Sequence, residues 1–209
     1  REINIDNIQH IFFFKKINET INKKISSACV IGDGKINFLS GMLSIYPEAK
    51  VYSINLSEVL IHDYLLLKKH NILNDENISI LEKPQDLDNP NIKLFLVPPD
   101  NANILKNKNI DLFVNFSSFQ EMRMTDINNY FDIVKSNKSF LYTCNRYHKI
   151  LPAGEVLEFD NYPWGKGKKI FYEKCEWVSK YYSFKYPFFY DYDGDHWHCL
   201  ISYEKNYNF

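Results

Sequence analysis

Residues 29–31 form a short apolar run that enters the turn Gly32-Asp33-Gly34, after which Phe38, Leu39, Met42, Leu43, Ile45 and Tyr46 recur at helical spacing. A second apolar run, 51–54, ends in Asn55 roughly 20 residues past the glycines, where nucleotide-binding α/β sheets present a group to a ribose. Strand, glycine turn, helix and strand in this order point to a parallel α/β plan. Glycine has no Cβ, so it turns tightly and admits a ligand to the backbone, while the free N–H groups of the following helix favour electron-rich groups. A cofactor site is therefore expected at the carboxyl ends of the first two strands, around Gly32, Asp33, Gly34 and Asn55.

The rest of the chain extends that plan. Residues 5–25 carry Ile5, Ile8, Ile11, Phe12, Ile17, Ile21 and Ile25, which predicts an amphipathic helix packed on the sheet or covering the site. Ser57 and Glu58 open a helix that ends near His70, with His62 and His70 facing solvent. Residues 78–81 suit an edge strand, whereas 92–97 and 110–116 read as strands buried on both faces, the first stopped by Pro98-Pro99. A helix with Ile127, Tyr130, Phe131, Ile133 and Val134 on its apolar face follows, and a strand at 140–144 ends in Asn145-Arg146-Tyr147-His148. Strand tips thus fall at Gly32, Asn55, Pro98, Asn115 and Asn145 along one edge of the sheet. Residues 151–169 predict a lid or substrate loop, and 176–190 with 197–203 predict a terminal antiparallel hairpin turned at 191–195. That acidic turn is no calcium loop, because its twelfth position is Ser202 rather than Glu.

A chain of 209 residues is long enough for one α/β domain. It divides into the helix at 5–25, a cofactor-binding half at 28–122, and a substrate loop and terminal hairpin at 145–209. A net charge of −1 leaves no polybasic surface for nucleic acid. Cys29, Cys144, Cys175 and Cys199 are far apart, without metal-ligand spacing, and read as buried thiols in a reducing cytoplasm. No metal is expected; His196 and His198 with Asp193 or Asp195 supply the one alternative. No run approaches the roughly 20 apolar residues of a membrane span, and the apolar residues 11–14 are too few for a signal peptide. The first residue is Arg rather than Met, as expected of a trimmed chain or of one piece of a longer protein.

The motifs VIGDG at 30–34, NLSEVLIHDYLLL at 55–67, LVPP at 96–99, NFSSFQEM at 115–122, TCNRYHK at 143–149 and YPW at 162–164 resemble those of the bacterial sugar O-methyltransferases, a branch of the S-adenosylmethionine-dependent Rossmann-like enzymes. The resemblance covers roughly residues 28–165. It implies a class I methyltransferase fold: a mostly parallel seven-stranded sheet with a C-terminal antiparallel hairpin and helices on both faces. It also implies S-adenosylmethionine held by Gly32, Asp33, Gly34, Asn55 and Leu56, with Pro98 near the adenine and Asn115 and Phe116 below the methionine part. Two positions depart from the family pattern: Asn55 stands where an acid is common, and Ile36 fills the third small position of the turn, so the turn must widen or the helix must start differently.

Methyl transfer to a sugar hydroxyl needs an aligned oxygen and a proton acceptor. Glu121 and His148 are the first candidates for that acceptor, ahead of His196 and His198, which share a strand face and stand near the acceptor sugar. Arg146 suits a phosphate or diphosphate, Asn145 lies beside it, and Tyr147, Tyr162 and Trp164 suit stacking on a sugar or base. The expected acceptor is a sugar or nucleotide sugar for capsule or another surface polysaccharide, with a homodimer left open. Two alternatives stand beside this: a catalytically inactive Rossmann-like binding or scaffold domain, suggested by Asn55 and Ile36, and an NAD-linked oxidoreductase, which lacks its acid at position 55.

Overall fold

The structure, a computed structural model, describes residues 5–34, 36–178, 180–191 and 194–204. In chain order its strands are β1 (Ser27–Ile31), β2 (Lys50–Ile54), β3 (Ile78–Ile80), β4 (Leu94–Val97), β5 (Leu112–Phe116), β6 (Phe140–Arg146), β7 (His148–Ile150), β8 (Val156–Glu158), β9 (Lys168–Lys174), β10 (Lys180–Tyr182), β11 (Phe189–Asp191) and β12 (His196–Ser202). The α-helices are α1 (Ile5–Thr20), α2 (Asn37–Ile45), α3 (Ser57–Lys69) and α4 (Met124–Asn137).

Eight strands make the main sheet in the order β3-β4-β2-β1-β5-β6-β12-β9. The first six run parallel, and β12 is antiparallel to both of its neighbours. Buried apolar runs account for the parallel part, since crossover helices cover both faces. In register, Ile31 lies between Ile54 and Asn115, and Asn115 pairs with Thr143, so the carboxyl ends of β1, β2, β5 and β6 share one edge.

Alternation along the strands divides the core in two. Val30, Val114, Tyr142 and Leu200 pack beneath α1 and α2 with Phe13, Phe38 and Leu39. Ile31, Phe113, Leu141 and Cys199 pack on the other face with Phe119, Phe131, Phe159 and Trp164. All four cysteines are buried and free.

The sheet corrects three sequence expectations. It has eight strands where the resemblance implies seven, the additional one being the three-residue β3, the edge strand read at 78–81, which lies beside β4. The antiparallel partner of β12 is β9, a segment whose sequence reads partly as loop and partly as no element at all; 176–190 instead forms a helical turn (Glu176–Val178) and part of the separate ribbon β10–β11. Lysines at both ends of β9 mask its strand character and suit its place on the sheet edge. Of the expected turn at 191–195, Tyr192 and Asp193 lie outside the described residues, and the segment links the ribbon to the main sheet rather than closing a hairpin within it.

Residues 151–164 are not a lid. They form the β7–β8 hairpin and a turn at Phe159–Asn161 that buries Phe159, Tyr162 and Trp164 against Phe131. Nor does α1 reach residue 25. It ends at Thr20, and its inward face carries Phe13, Phe14 and Ile17, leaving Ile8, Ile11 and Phe12 exposed. Its buried stripe also contains Gln9 and His10, polar residues that an apolar count passes over.

Candidate functional site

A cleft of about 750 Å³ opens where β1, β2, β5 and β6 end. Its first wall is the glycine turn. Gly32 has φ +73 and its N–H donates to Ile54 O at 2.8 Å, so this glycine fixes the turn to β2. A Cβ there would lie 2.2 Å from Ser118 Oγ, so the close approach excludes any side chain. At Gly34 a Cβ would meet nothing within 4 Å among the described residues, which leaves the backbone there open to a ligand. Ile36 precedes α2 with φ 52 and supplies no side-chain cap. Asp33 reaches forward instead, its Oδ2 accepting from Leu39 N at 2.6 Å, which is how the turn accommodates a bulky residue at the third small position.

Asn55 lines the same cleft and braces the turn, donating from Nδ2 to Asp33 O at 2.8 Å and accepting at Oδ1 from Leu56 N at 3.1 Å. Behind it, α3 buries Asp63 completely. Among the described residues, neither oxygen of this carboxylate has a hydrogen bond of ordinary geometry. Burial and the neighbouring Asp33 push its pKa up to about 7, opposed by the nearby amide of Asn55.

The floor is built from buried amides. Asn115 donates to Ile31 O at 3.0 Å and to Ser118 Oγ, and its Oδ1 accepts from Asn145 Nδ2 at 2.8 Å. Asn145 also donates to Thr143 Oγ1 at 2.7 Å and accepts from Gln120 N at 3.2 Å. Gln120 Oε1 in turn accepts from Arg146 N at 2.8 Å. Each amide thereby satisfies a buried polar group while fixing residues 117–120 over the strand ends. Asn115 and Asn145 thus lie beneath the cleft lining rather than on it.

Opposite the turn stand Glu121, Arg146 and His196. Glu121 is half exposed, with Lys149 Nζ at 3.4 Å and Gln120 Nε2 at 3.4 Å from Oε1. His196 is buried at 3% exposure, paired in register with Arg146 on the adjacent strand. Burial and the Arg146 charge lower its pKa to about 4, so the ring is neutral at pH 7.

Of the residues singled out in sequence, Gly32, Asp33, Gly34, Asn55, Leu56, Phe116, Glu121, Arg146 and His196 converge on the cleft. Others do not. His148 is exposed on the β7–β8 hairpin, its Nδ1 2.7 Å from Glu158 Oε1, because the strand resumes after Arg146 and carries it outward. His198, one pleat beyond His196, is closed in beneath α1, where Nδ1 meets Tyr142 Oη at 3.2 Å and Nε2 lies 3.4 Å from Glu173. Tyr147 bonds Asp160, while Tyr162 and Trp164 are core residues, the indole donating to Phe159 O at 3.1 Å. Pro98 caps the turn Pro99–Leu105 outside the cleft lining.

Sequence reasoning missed Gln9 and His10, which reach the cleft from α1, and Val178 from the turn after β9. His10 packs edge-on against Phe38 and Phe116, with ring centres 5.0 and 5.2 Å away. Its only signal was a polar pair interrupting an apolar helix face. Gln120, Met122, Arg123 and Asp126 complete the side toward α4.

The sheet order and the placing of the cleft define the class I methyltransferase fold. No protein-family model matches the sequence, and no curated protein matches it. Among solved structures, an S-adenosylmethionine-dependent methyltransferase from Clostridium acetobutylicum superposes with a TM-score of 0.57 at 11% identity, covering 96% of this chain and 92% of that one. Coclaurine N-methyltransferase, bound to N-methylheliamine and S-adenosylhomocysteine, gives 0.56 at 10% identity over 83% of this chain and 53% of that one. Mitomycin 7-O-methyltransferase gives 0.55 at 9% identity over 95% and 53%. The chain therefore spans about half the length of the last two. These likenesses show the fold that the chain shares.

Proposed function

We propose that this chain binds S-adenosylmethionine and transfers its methyl group to a hydroxyl of a sugar, in the cytoplasm, during assembly of a surface polysaccharide. The observation that carries the cofactor reading is the joining of the side-chain-free turn at Gly32, the open backbone at Gly34 and the amide of Asn55 in one cleft of a methyltransferase fold. These residues fit an adenosyl group: Asn55 Oδ1 keeps a lone pair for a ribose hydroxyl, and Leu56, Phe116 and Met122 offer apolar surface. When bound, the cofactor supplies an activated methyl group.

The chain supplies alignment and a destination for the hydroxyl proton. His196, unlike His148, lines the cleft on the Arg146 side, and in its neutral form it can accept a proton at a ring nitrogen. Glu121 lies at the rim, where a carboxylate suits hydrogen bonding to sugar hydroxyls. Four free, buried thiols suit a reducing compartment. The sugar reading rests on the resemblance carried by the motifs at 115–122 and 143–149, from which Glu121 and Arg146 line the cleft.

Calorimetry with S-adenosylhomocysteine, followed by mass-spectrometric screening of sugars and nucleotide sugars for a methyl gain, tests the proposal. Binding of the cofactor product together with methylation of a sugar supports it. No measurable S-adenosylhomocysteine binding by the folded chain removes its basis, and NAD binding in its place would favour the oxidoreductase.

A further inference from the structure

Arg146 ends β6 in the cleft with its Nε shut off from solvent and without a hydrogen-bond partner among the described residues. The carboxylates that line the same cleft are committed elsewhere. Asp33 accepts from the α2 backbone, Glu121 faces Lys149, and Asp126 lies 3.2 Å from Arg123 Nε. The Arg146 backbone is fixed through Gln120, so its side chain leaves a defined point. His196, paired with it in register, supplies no negative charge in either protonation state.

A guanidinium drawn partly out of water costs free energy unless an anion meets it, and its planar fork fits the paired oxygens of a phosphate or carboxylate. Two anions have access to this cleft: one on the acceptor, and the carboxylate of the cofactor's methionine part. Position separates them. The glycine turn follows β1, and β5 lies between β1 and β6, which places the start of Arg146 roughly 10 Å across the sheet, on the side away from Asn55.

Resting on the methyltransferase reading above, we infer that the acceptor is an anionic sugar, bearing a phosphate or a carboxylate, and that Arg146 binds that group. A nucleoside-diphosphate sugar and a sugar acid both meet this requirement. The charged group docks toward β12, leaving a hydroxyl of the same molecule facing the cofactor end of the cleft.

The test titrates uridine diphosphate and, separately, glucuronate into the full chain saturated with S-adenosylhomocysteine, for the natural sequence, R146K and R146M. At least one probe should bind the natural sequence, with R146M weakening it about tenfold or more and R146K losing less. S-adenosylhomocysteine affinity should change less than about twofold in both variants, with thermal unfolding confirming that each is folded. Uridine diphosphate alone would indicate a phosphate on the acceptor, and glucuronate alone a carboxylate. Binding of neither probe, or binding that survives in R146M, overturns the inference. A parallel loss of S-adenosylhomocysteine affinity also overturns it, assigning Arg146 to the cofactor's carboxylate. If S-adenosylhomocysteine does not bind the natural sequence at all, the cofactor reading fails instead, and the same titrations on the unloaded chain still judge Arg146.

Discussion

Ser118 Oγ stands 2.2 Å from the point where a Cβ on Gly32 would lie. The same hydroxyl donates to Ile31 O at 3.0 Å and accepts from Asn115, so it cannot withdraw without breaking the floor of the cleft. Gly32→Ala must therefore bear both a left-handed backbone and a clash, a cost on the order of 1–3 kcal/mol for the backbone alone. Gly34→Ala meets empty space and has no left-handed φ to sustain. Thermal unfolding should show a clear loss for the first variant and a shift near zero for the second. Equal stability losses would contradict the difference between the two glycines.

Asp63 makes stability fall as pH rises. Its folded pKa of about 7 lies above the unfolded value near 3.9, so the folded chain holds the proton longer, and the destabilisation grows from about pH 4 and levels off above 7. Asp63→Asn should gain on the order of a few kcal/mol at pH 8, with the gain shrinking toward pH 4. Urea unfolding at those two pH values measures it. A gain independent of pH would show that Asp63 is not the titrating group.

His196 and His198 act in the opposite direction. Each has a folded pKa near 4, below the unfolded value near 6.5, so their neutral burial favours folding above 6.5 and is lost as pH falls from there toward 4. In the natural sequence this slope and that of Asp63 offset each other. Acidification from pH 6.5 should therefore destabilise Asp63→Asn more steeply than the natural chain. Parallel curves would dismiss the compensation.

Asn145 is a positioning residue for the loop at 117–122. Asn145→Ala leaves Asn115 Oδ1 without its shortest donor and Gln120 N without its acceptor, about 1–3 kcal/mol of lost stability. S-adenosylhomocysteine affinity should fall with it, whereas His148→Ala, on the exposed hairpin, should leave that affinity unchanged. His196→Gln should lower kcat by about 10²–10⁴-fold on any methyl acceptor while the cofactor product still binds. Full activity in His196→Gln would move the proton to Glu121 or to solvent.

The strands at 92–97 and 110–116 were readable because burial on both faces leaves an unbroken apolar run. The place of the glycine turn and of Asn55 beside the cleft was readable because clefts of open α/β sheets lie at the carboxyl ends of the strands. Asn115 and Asn145 carried the same signal, but whether such an amide lines a cleft or supports it depends on cross-strand register, which one strand does not encode. Tyr162 and Trp164 looked like a binding loop because proline and glycine surround them, and their actual partners, Phe119 and Phe131, lie some 30–45 residues earlier. His10 was hidden for a related reason: the side of a helix that turns inward is decided by what it packs against.

Helix α1 meets the sheet through Phe13, whose ring centre is 5.5 Å from Tyr142 and 4.8 Å from Phe116, while Gln9 and His10, one turn earlier, form part of the cleft wall. One rigid rod therefore serves the hydrophobic interior and the cleft at once. Loosening its aromatic anchor, as Phe13→Ala does, would reshape the cleft before the sheet itself came apart, so ligand retention becomes the earliest gauge of damage to that helix.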